Sequence, residues 1–419
     1  MDRRTALRLL GWGGAGVALG DVASVEPALA RALRSAAQGA GDPAWNSGGP
    51  LVAYPEKLPL IVLTDRPVQL ETPRRYFRDA FTDNAAFFVR WHLDLHPNAV
   101  DLSAWRLRVE GNVGRTLSLS FDDLVNRFSP VSVAAVNQCS GNSRSRFTPR
   151  VAGGQWGHGA MGSATWTGVR LRELLEAAGV RPGSVDLQFE GLDRGRGPAG
   201  RGSHRYLKAL RLDDPVLDDS LVAYAMNGQQ LPMLNGFPAR LVVPGYFATY
   251  WMKSLTWIRV LPQPDENFWM QSGYRVPDTP GGGTTPDNVR AGRVTMVPIT
   301  RMPVRSFIVS PDGTSRVPAG LPTTVRGIGF SGNGAITRVE WSEDGGRSWR
   351  DVRLGADHGP HAFRTWEAAW TPRVPGEVSL AVRATDARGD VQRDAPVWNP
   401  GGYLWNRIER QVVTVGRSA

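Results

Sequence analysis

The spacing of hydrophobic and polar residues follows two different patterns along this chain, and the change from one to the other divides the chain into two parts. From Tyr76 to about Val260, short apolar strands alternate with a few helices. The clearest helix is predicted over 169–178, where apolar residues recur at helical spacing and Gly179 supplies a stop. The run 240–243 is almost wholly apolar, which predicts a buried strand. The pattern therefore indicates a mixed, α+β domain.

Residues 275–292 interrupt this pattern with three prolines, four glycines and almost no apolar residue. Such a composition predicts a linker or a long surface loop. Further along, apolar and polar residues alternate in short runs at 324–330, 336–341 and 378–384, and Asp-Gly-Gly at 344–346 is typical of a hairpin turn. This spacing predicts a β-sandwich of about 110–120 residues, of immunoglobulin-like form but without the disulfide.

The N-terminal segment has the composition of an export signal. Arg3 and Arg4 precede an apolar, Gly-rich run at 9–20, and the small residues at 28–30 offer a cleavage site. This order predicts a twin-arginine signal over residues 1–30, because the apolar run is too short to cross a bilayer. A short amphipathic helix that begins with two arginines is the alternative. A cleaved signal predicts a periplasmic protein with no membrane span.

Composition and charge narrow the function. A chain of 419 residues with 41% hydrophobic content is long enough for two or three domains, each with its own core. The single cysteine excludes an internal disulfide. The formal charge is +10, yet the basic residues are dispersed and no basic run carries interleaved aromatic residues, which argues against nucleic acid as a partner. A basic surface suits a small anionic substrate or an acidic electron-transfer partner, or it serves solubility alone.

Cys139 is the only cysteine, and it lies among small and amide residues. Val131, Val133 and Val136 predict a strand just upstream, so the pattern indicates a strand that ends and delivers a thiol to a loop. A free cysteine usually packs as a small hydrophobe, but a packed position would have apolar neighbours. Two functional interpretations follow from the residues: a nucleophile beside a histidine, or a thiolate ligand to a soft metal.

The Cys139 loop and a series of motifs after it resemble the sulfite oxidase family of molybdopterin-dependent oxidoreductases. Besides the loop 137–144, the matching motifs are 154–156, 159–162, 166–169, 189–193, 226–228 and 236–240. With the C-terminal part, the resemblance spans roughly residues 75–415. So many matches in the same order make chance a poor explanation.

The resemblance implies the sulfite oxidase fold. A mixed α/β, molybdopterin-binding catalytic domain is expected over 76–285, after an extended lead-in over 31–75. An immunoglobulin-like dimerisation domain is expected over 286–419, and in the resembled family this domain makes the dimer contact, which implies a homodimer. The cofactors implied are molybdenum and molybdopterin.

The resemblance also implies the residues of the active site. The family equivalent of Cys139 ligates molybdenum. Sulfite is a compact anion that needs fixed positive groups, for which arginine is well suited, and the resemblance gives that role to Arg90 and Arg144. It makes Tyr274 the active-site tyrosine, which would hydrogen-bond the substrate. The cofactor-binding residues that it implies are Phe88, Val89, Arg90, Trp91, His92, Cys139, Asp193, Asn235, Arg240, Trp251, Met252 and Lys253.

Different parts of the pterin are assigned to different members of this set. Residues 88–92 would line the pterin, and Asp193 would accept hydrogen bonds from its N–H groups. Arg240 and Lys253 suit its phosphate end. The residues 251–252 would contribute main-chain contacts.

Two positions depart from the pattern of the animal enzymes. Asn235 stands where they have histidine and still offers a donor. Gly401 aligns with a further substrate-pocket arginine, so the anion pocket is expected to be rebuilt. No Cys-x-x-Cys-His motif occurs and no b5-like histidine segment precedes the catalytic part, so electrons are expected to leave to a separate c-type cytochrome.

Together these inferences predict a periplasmic molybdenum enzyme that oxidises sulfite to sulfate. A sulfane dehydrogenase of the same family, acting on sulfur bound to a carrier protein, is the nearest alternative. A non-catalytic secreted binding protein built on the β-sandwich is an alternative of another class. A third is a cysteine hydrolase with Cys139 as nucleophile, which would need His92 or His158 nearby.

Overall fold

The computed structural model describes residues 51–52, 54, 56–196 and 203–417. The predicted export signal over 1–30 and the lead-in up to residue 50 lie outside the described residues, so both stay predictions. Within the described part of the chain, no helix is both long and apolar enough to cross a membrane.

Three sheets make up the first part of the chain. The first sheet contains Leu51–Val52 (β1), Leu60–Asp65 (β2), Val68–Glu71 (β3) and Val89–Arg90 (β4), paired in that order. The second sheet contains Leu107–Gly111 (β5), Leu117–Leu119 (β6), Asp186–Arg196 (β9), Ser203–Arg211 (β10) and Trp257–Leu261 (β14). The third sheet contains Pro130–Gln138 (β7), Met161–Arg170 (β8), Leu221–Met226 (β11), Gln229–Gln230 (β12) and Arg240–Val242 (β13).

The pairing of these strands sets the positions of Arg90, Cys139 and Arg240. The second sheet has the order β10-β9-β14-β5-β6, in which β14 and β5 run parallel. The third has the order β12-β11-β8-β7, with β13 on β11. Strand β7 pairs with β8 up to Gln138, opposite Met161, and so ends directly before Cys139. Arg90 is the last residue of β4 and Arg240 is the first residue of β13, so Arg90, Cys139 and Arg240 all lie at strand ends.

The described residues contain four short α-helices: Phe121–Asn126 (α1), Leu171–Ala178 (α2), Phe268–Gln271 (α3) and Pro286–Arg290 (α4). Helix α2 forms because its buried residues recur at helical spacing, namely Leu171, Leu174, Leu175 and Ala178. Burying each leucine stabilises the fold by about 1.5–3 kcal/mol. Gly179 ends the helix with a φ of 66°, as predicted. The predicted start at 169 is wrong by two residues, because Val169 and Arg170 pair with β11 and extend β8.

Two sheets make up the second part of the chain, and they enclose a core of their own. One contains Arg305–Ser310 (β17), Thr323–Phe330 (β19), Arg353–Leu354 (β22) and Arg364–Trp370 (β23). The other contains Arg316–Pro318 (β18), Ile336–Ser342 (β20), Arg350–Asp351 (β21), Gly376–Asp386 (β24) and Glu409–Gly416 (β25). Val325 and Trp366 of the first sheet share this core with Trp341 and Val382 of the second. The predicted turn at 344–346 lies between the antiparallel strands β20 and β21.

The segment predicted as a linker has more structure than its composition indicates. Arg275–Pro277 (β15) pairs antiparallel with Met296–Pro298 (β16), and α4 lies between them. Thr285 caps α4 by accepting a hydrogen bond from the Asn288 N–H. The segment is therefore a structured loop. Backbone pairing and a helix cap take the place of the apolar contacts that it lacks.

The two parts of the chain share an apolar boundary. Several residues of the second part belong to the core of the first, among them Phe307, Val309, Ile328, Phe330 and Phe363. The Val136 N–H in β7 also donates to the His361 carbonyl (2.7 Å). Strand β7, which leads to Cys139, is therefore braced from the second part.

Candidate active site

Cys139 lies where a strand passes into a tightly bonded loop. Its N–H donates to the Ala160 carbonyl (2.9 Å), and the residue is only 7% exposed. The Asn142 side chain anchors the loop, since its amide donates to the Gln138 side chain and to the His158 carbonyl, both at 3.2 Å. Its side-chain oxygen accepts from the Ala160 N–H (3.1 Å). The prediction that a strand ends and delivers a thiol to a loop is confirmed.

Two cavities meet at this thiol. The first cavity is lined by Phe88, Val89, Arg90, His92, Asn137, Cys139, Ser140, Leu234, Asn235, Arg240, Ala248, Thr249, Lys253 and Tyr274. The second cavity has a volume of about 330 Å³ and is lined by Gln69, Arg90, Cys139, Gly141, Arg144, Ala152, Gly153, Gly154, Trp156, Phe268, Trp269, Gly273, Tyr274, Pro400, Gly401 and Tyr403. Arg90, Cys139 and Tyr274 line both, so a guanidinium, a thiol and a phenol stand where the two cavities join.

Most of the residues implied by the resemblance come together here. Those lining the first cavity are Phe88, Val89, Arg90, His92, Cys139, Asn235, Arg240, Lys253 and Tyr274, and Arg144 lines the second. Trp91, Asp193, Trp251 and Met252 are buried but line neither cavity. The carbonyl of Trp251 accepts from Arg240 (3.2 Å) and that of Met252 from the Leu241 N–H (2.8 Å). The predicted pterin contacts of these four residues stay predictions.

Sequence reasoning missed several lining residues. Asn137 and Ser140 flank Cys139 almost directly, and Thr249 lies in the segment that ends at Lys253, so their position beside named residues was the available signal. Nothing in the sequence around Tyr403 indicated a place in the site, because only the folding of the chain brings this residue to the second cavity.

Several polar atoms of the first cavity are buried without a protein partner. Among the described residues, no hydrogen bond reaches Nη1 of Arg90, Nδ2 of Asn137, Oγ of Ser140 or Nε of Arg240. A buried donor without an acceptor is unfavourable by about 1–3 kcal/mol, more if it is charged, so such groups are rare in folded proteins. All four residues line the same cavity, which therefore offers donors to a polar or anionic ligand.

Arg240 and Lys253 supply positive charge in the first cavity. The Arg240 guanidinium lies 5.0 Å from the Trp166 ring centre and donates to the Asn235 carbonyl (2.9 Å), which fixes its position. Burial lowers the pKa of Arg240 to about 9, so it stays charged at neutral pH. Lys253 donates to the Arg90 carbonyl (2.6 Å), and burial lowers its pKa. Beside it, burial raises the pKa of Asp193 to about 6.

The side chain of Asn235 is used for hydrogen bonds within the protein, which the sequence did not indicate. Its side-chain amide donates to the Phe88 carbonyl (3.1 Å), and its side-chain oxygen accepts from the buried Lys57 ammonium. The donor that was expected to face a ligand is therefore used to fix the backbone of residues 88–90 at the cavity wall.

Burial of a third lysine leads to a testable pH dependence. Lys208 is fully buried, donates to the Trp269 carbonyl (2.6 Å) and has its pKa lowered by burial to about 7. Between pH 7 and 10 the unfolded chain therefore binds a proton that the folded chain does not, so the free energy of unfolding rises with pH. We expect Lys208→Met to reduce that slope by up to about 1.4 kcal/mol per pH unit.

Urea unfolding at pH 7, 8 and 9 measures this slope. Arg211→Met, an exposed position on the same strand, is the matched control and should leave the slope unchanged. Parallel pH dependences for the wild type and Lys208→Met would contradict the expectation.

Tyr274 adopts an unusual backbone conformation at the junction of the cavities. Its φ is 57°, a left-handed value that costs of the order of 1–3 kcal/mol for a residue with a bulky side chain and that clusters at functional sites. Its ring packs edge-on against His92, with ring centres 5.5 Å apart. Burial raises the pKa of the Tyr274 hydroxyl, so it stays a hydrogen-bond donor. Burial lowers the pKa of His92 well below its ordinary value, so the imidazole is neutral.

The predicted rebuilding of the anion pocket has a structural counterpart at Gly401. A Cβ at this position would lie 2.3 Å from the Tyr403 ring, so the tyrosine occupies the room of a side chain at 401. The Tyr403 ring stacks on Tyr274, with ring centres 5.9 Å apart. Arg144 lies 5.2 Å from the centre of the Tyr403 ring and donates to the carbonyls of Gly401 (3.0 Å) and Gly154 (3.2 Å).

The geometry does not support a cysteine–histidine pair. His92 lines the first cavity together with Cys139, but its ring stacks on Tyr206 and burial lowers its pKa well below the ordinary value. His158 instead contacts Ser143 and Glu409, with its ring nitrogens 2.6 Å and 3.4 Å from their oxygens. A nucleophilic thiol needs a histidine that can take its proton, and the contacts of these two histidines argue against that role.

Two domain families and several known proteins are similar in sequence to this chain. Residues 92–269 match the oxidoreductase molybdopterin binding domain, and residues 296–415 match the Mo-co oxidoreductase dimerisation domain. The chain is 38% identical to sulfite oxidase of Gallus gallus over 378 residues, covering 85% of this chain and 79% of that protein. It is 34% identical to mitochondrial sulfite oxidase of Homo sapiens over 384 residues, covering 87% and 68%.

A solved structure is similar over most of the chain. The sulfane dehydrogenase SoxCD from Paracoccus pantotrophus superposes with a TM-score of 0.71 at 26% identity, covering 84% of this chain and 88% of that one. The chain belongs to the sulfite oxidase family of molybdopterin-dependent oxidoreductases. It is therefore an enzyme, and the interpretations as a non-catalytic binding protein and as a cysteine hydrolase are wrong.

The family implies a molybdenum cofactor with molybdopterin, and the site fits that group. The unpartnered donors of the first cavity suit a polar, anionic ligand, and the only cysteine of the chain reaches its wall. A soft thiolate is a suitable ligand for such a metal.

Proposed function

We propose that this protein oxidises sulfite to sulfate at the junction of the two cavities. The observation that carries the proposal is Arg90, whose Nη1 is buried without a partner and which lines both cavities together with Cys139. A fixed guanidinium donor beside the thiol suits an oxyanion held next to the metal. Sulfite and water are converted into sulfate, two protons and two electrons.

The residues of the first cavity would hold the cofactor. Cys139 would ligate the metal, while Arg240 and Lys253 would bind the anionic end of the pterin. The bound cofactor supplies oxygen-atom transfer and takes up the two electrons. His92 is neutral and stacks on Tyr206, so it offers a flat, uncharged wall for the cofactor.

The residues at the junction would bind and orient sulfite. Arg90 donates to its oxygens, and Arg144 adds positive charge from a position fixed by two backbone carbonyls. Tyr274 donates a hydrogen bond from a hydroxyl that burial keeps protonated. Because these groups are fixed before the substrate binds, little reorganisation is needed during the reaction.

The setting of the reaction belongs to the same proposal. We infer that the enzyme works in the periplasm after twin-arginine export and passes electrons to a c-type cytochrome, which a net charge of +10 would attract if the partner is acidic. The two-sheet second part is proposed to be an immunoglobulin-like sandwich that forms a homodimer, supported by the match of residues 296–415 to a dimerisation domain.

Metal analysis and a sulfite assay test the function directly. We expect the purified holoenzyme to contain about one molybdenum per chain and to reduce cytochrome c only when sulfite is present. Protein produced with tungstate in place of molybdate is the matched control, and it should be inactive. A preparation that contains molybdenum but does not turn over sulfite would overturn the proposed substrate, and one that never binds molybdenum would overturn the proposed chemistry.

The size of the second cavity favours one alternative substrate. Its volume of about 330 Å³ is larger than sulfite needs, and glycines at 141, 153, 154, 273 and 401 form much of its wall. A side chain carrying sulfur on a carrier protein would find room there, and the structurally similar SoxCD is named a sulfane dehydrogenase. Comparing kcat/KM for free sulfite with that for a persulfidated carrier separates the two substrates. A higher value for the carrier would favour this alternative.

A further inference from the structure

Arg305 reaches from the second part of the chain to the loop that carries Cys139. It lies on β17, is only 1% exposed, and has its guanidinium among residues of the first part. Nη1 donates to the Gln138 side-chain oxygen (3.1 Å), and Nη2 donates to the Ser143 hydroxyl (2.9 Å). Gln138 directly precedes Cys139 and Ser143 follows it by four positions. One side chain therefore holds both ends of the thiol-bearing loop.

The contacts of Arg305 belong to a larger buried network. Its Nη2 lies 3.5 Å from the Glu409 carboxylate on β25, which is also 3.4 Å from Nε2 of His158. Nδ1 of His158 in turn lies 2.6 Å from the Ser143 hydroxyl. The loop is thus clamped by a charge pair that comes wholly from the second part of the chain.

The conformation of the loop shows why such a clamp is needed. Ser143 has a φ of 71°, a left-handed value that a residue with a side chain adopts only when its surroundings impose it. The guanidinium is planar and presents its donors as a rigid fork, so it fixes the spacing between its two acceptors as well as their positions. An apolar side chain of similar volume could fill the same space but could not hold this spacing.

We propose that Arg305 is a positioning residue for Cys139, through which the second part of the chain sets the direction of the thiolate in the active site. The inference deepens the proposed function, because it depends on Cys139 acting as the metal ligand. Arg305 lines neither cavity and touches no substrate, so its effect on the reaction passes through Gln138 and Ser143.

The reactivity of Cys139 tests the clamp without any catalysis. In full-length protein produced without cofactor, we expect Arg305→Met to raise the rate at which a small thiol reagent modifies Cys139 by at least about tenfold, because the loop is freed. Arg305→Lys should give an intermediate rate, since one ammonium cannot bridge the two acceptors as a fork does. Ser143→Ala removes one arm of the clamp and should shift the rate in the same direction, which also covers the case that Arg305→Met does not fold.

The holoenzyme gives a second, independent readout. We expect Arg305→Met to change the absorption band that arises from thiolate-to-metal charge transfer and to lower kcat by about 10–100-fold, with KM for sulfite changed less than about threefold. Arg305→Lys should partly restore both. Arg383→Met is the matched control, since it removes a different arginine of the second part, which forms a bidentate pair with Glu340 (2.8 and 3.1 Å), and it should leave all readouts unchanged.

The outcomes separate this inference from the proposed function. Labelling rates and spectra of Arg305→Met within twofold of both wild type and Arg383→Met would overturn the positioning role. A changed labelling rate in an enzyme that does not oxidise sulfite would support the clamp and count only against the proposed substrate. An unchanged molybdenum content and spectrum in Cys139→Ser would show instead that the ligand role of Cys139 is wrong.

Discussion

Replacing Cys139 by serine is expected to abolish sulfite oxidation, with kcat reduced at least about 10³-fold, or about 4 kcal/mol of lost transition-state stabilisation. The alcohol of serine stays protonated at neutral pH and is a poor ligand for a soft metal, whereas a thiolate is a good one. Cys139 is the only cysteine, so no other thiol can replace it. The absorption band from the thiolate should disappear together with the activity.

The loop itself should tolerate this substitution. The bonds that anchor it come from the Cys139 backbone and from Asn142, so the melting temperature of Cys139→Ser should stay close to that of the wild type. Ser145→Ala, an exposed position in the same loop, is the matched control and should keep full activity. A Cys139→Ser enzyme with wild-type kcat and an unchanged spectrum would refute the proposed site.

Replacing Arg90 by methionine should have the second largest effect. We expect kcat/KM for sulfite to fall about 10²–10³-fold, because the substrate loses a donor fixed at the place where charge is redistributed. Arg90→Lys keeps the charge but loses the planar fork, so its kcat/KM should lie in between. The carbonyl of Arg90 would still accept from Lys253, because a substitution of the side chain leaves this bond to the backbone in place.

Stability measurements distinguish a lost substrate contact from a lost fold. Nη1 of Arg90 makes no hydrogen bond within the described residues, so Arg90→Met should melt at or above the wild-type temperature. Arg108→Met, which removes an arginine stacked 4.6 Å from the Trp257 ring centre, is the matched control and should leave kcat/KM unchanged. An Arg90→Met enzyme that loses stability but keeps kcat/KM would contradict the substrate role.

Local patterns were enough to find the centre of the site. The strand that delivers Cys139, the helix stop at Gly179 and the alternating runs of the second part all appear in the structure close to their predicted positions. Motif resemblance added Arg90, Tyr274, Arg240 and the other lining residues, although spacing alone would not have selected them.

Distant contacts could not be predicted in the same way. Arg305 and Gln138 are 167 residues apart, and Arg144 reaches the Gly401 carbonyl across 257 residues. Nothing around Tyr403 indicated that its ring would stack on Tyr274 or fill the room beside Gly401. Residues 275–292 were predicted as a linker or a long surface loop, and most of residues 278–292 are exposed, but the pairing of β15 with β16 depends on backbone bonds that a composition of proline and glycine does not reveal.

The sequence by itself determined which chemical groups this protein has and where its two patterns of apolar residues lie. It places one thiol at the end of a strand and arginines in recognisable motifs. Each of these features depends only on residue type and short spacing. Only the tertiary structure decided how those groups cooperate. The sheets bring Arg90, Cys139 and Tyr274 to one junction, a ring fills the place of a missing side chain, and an arginine of the second part clamps the loop of the first. Such arrangements depend on how whole sheets pack, and no local pattern encodes that packing.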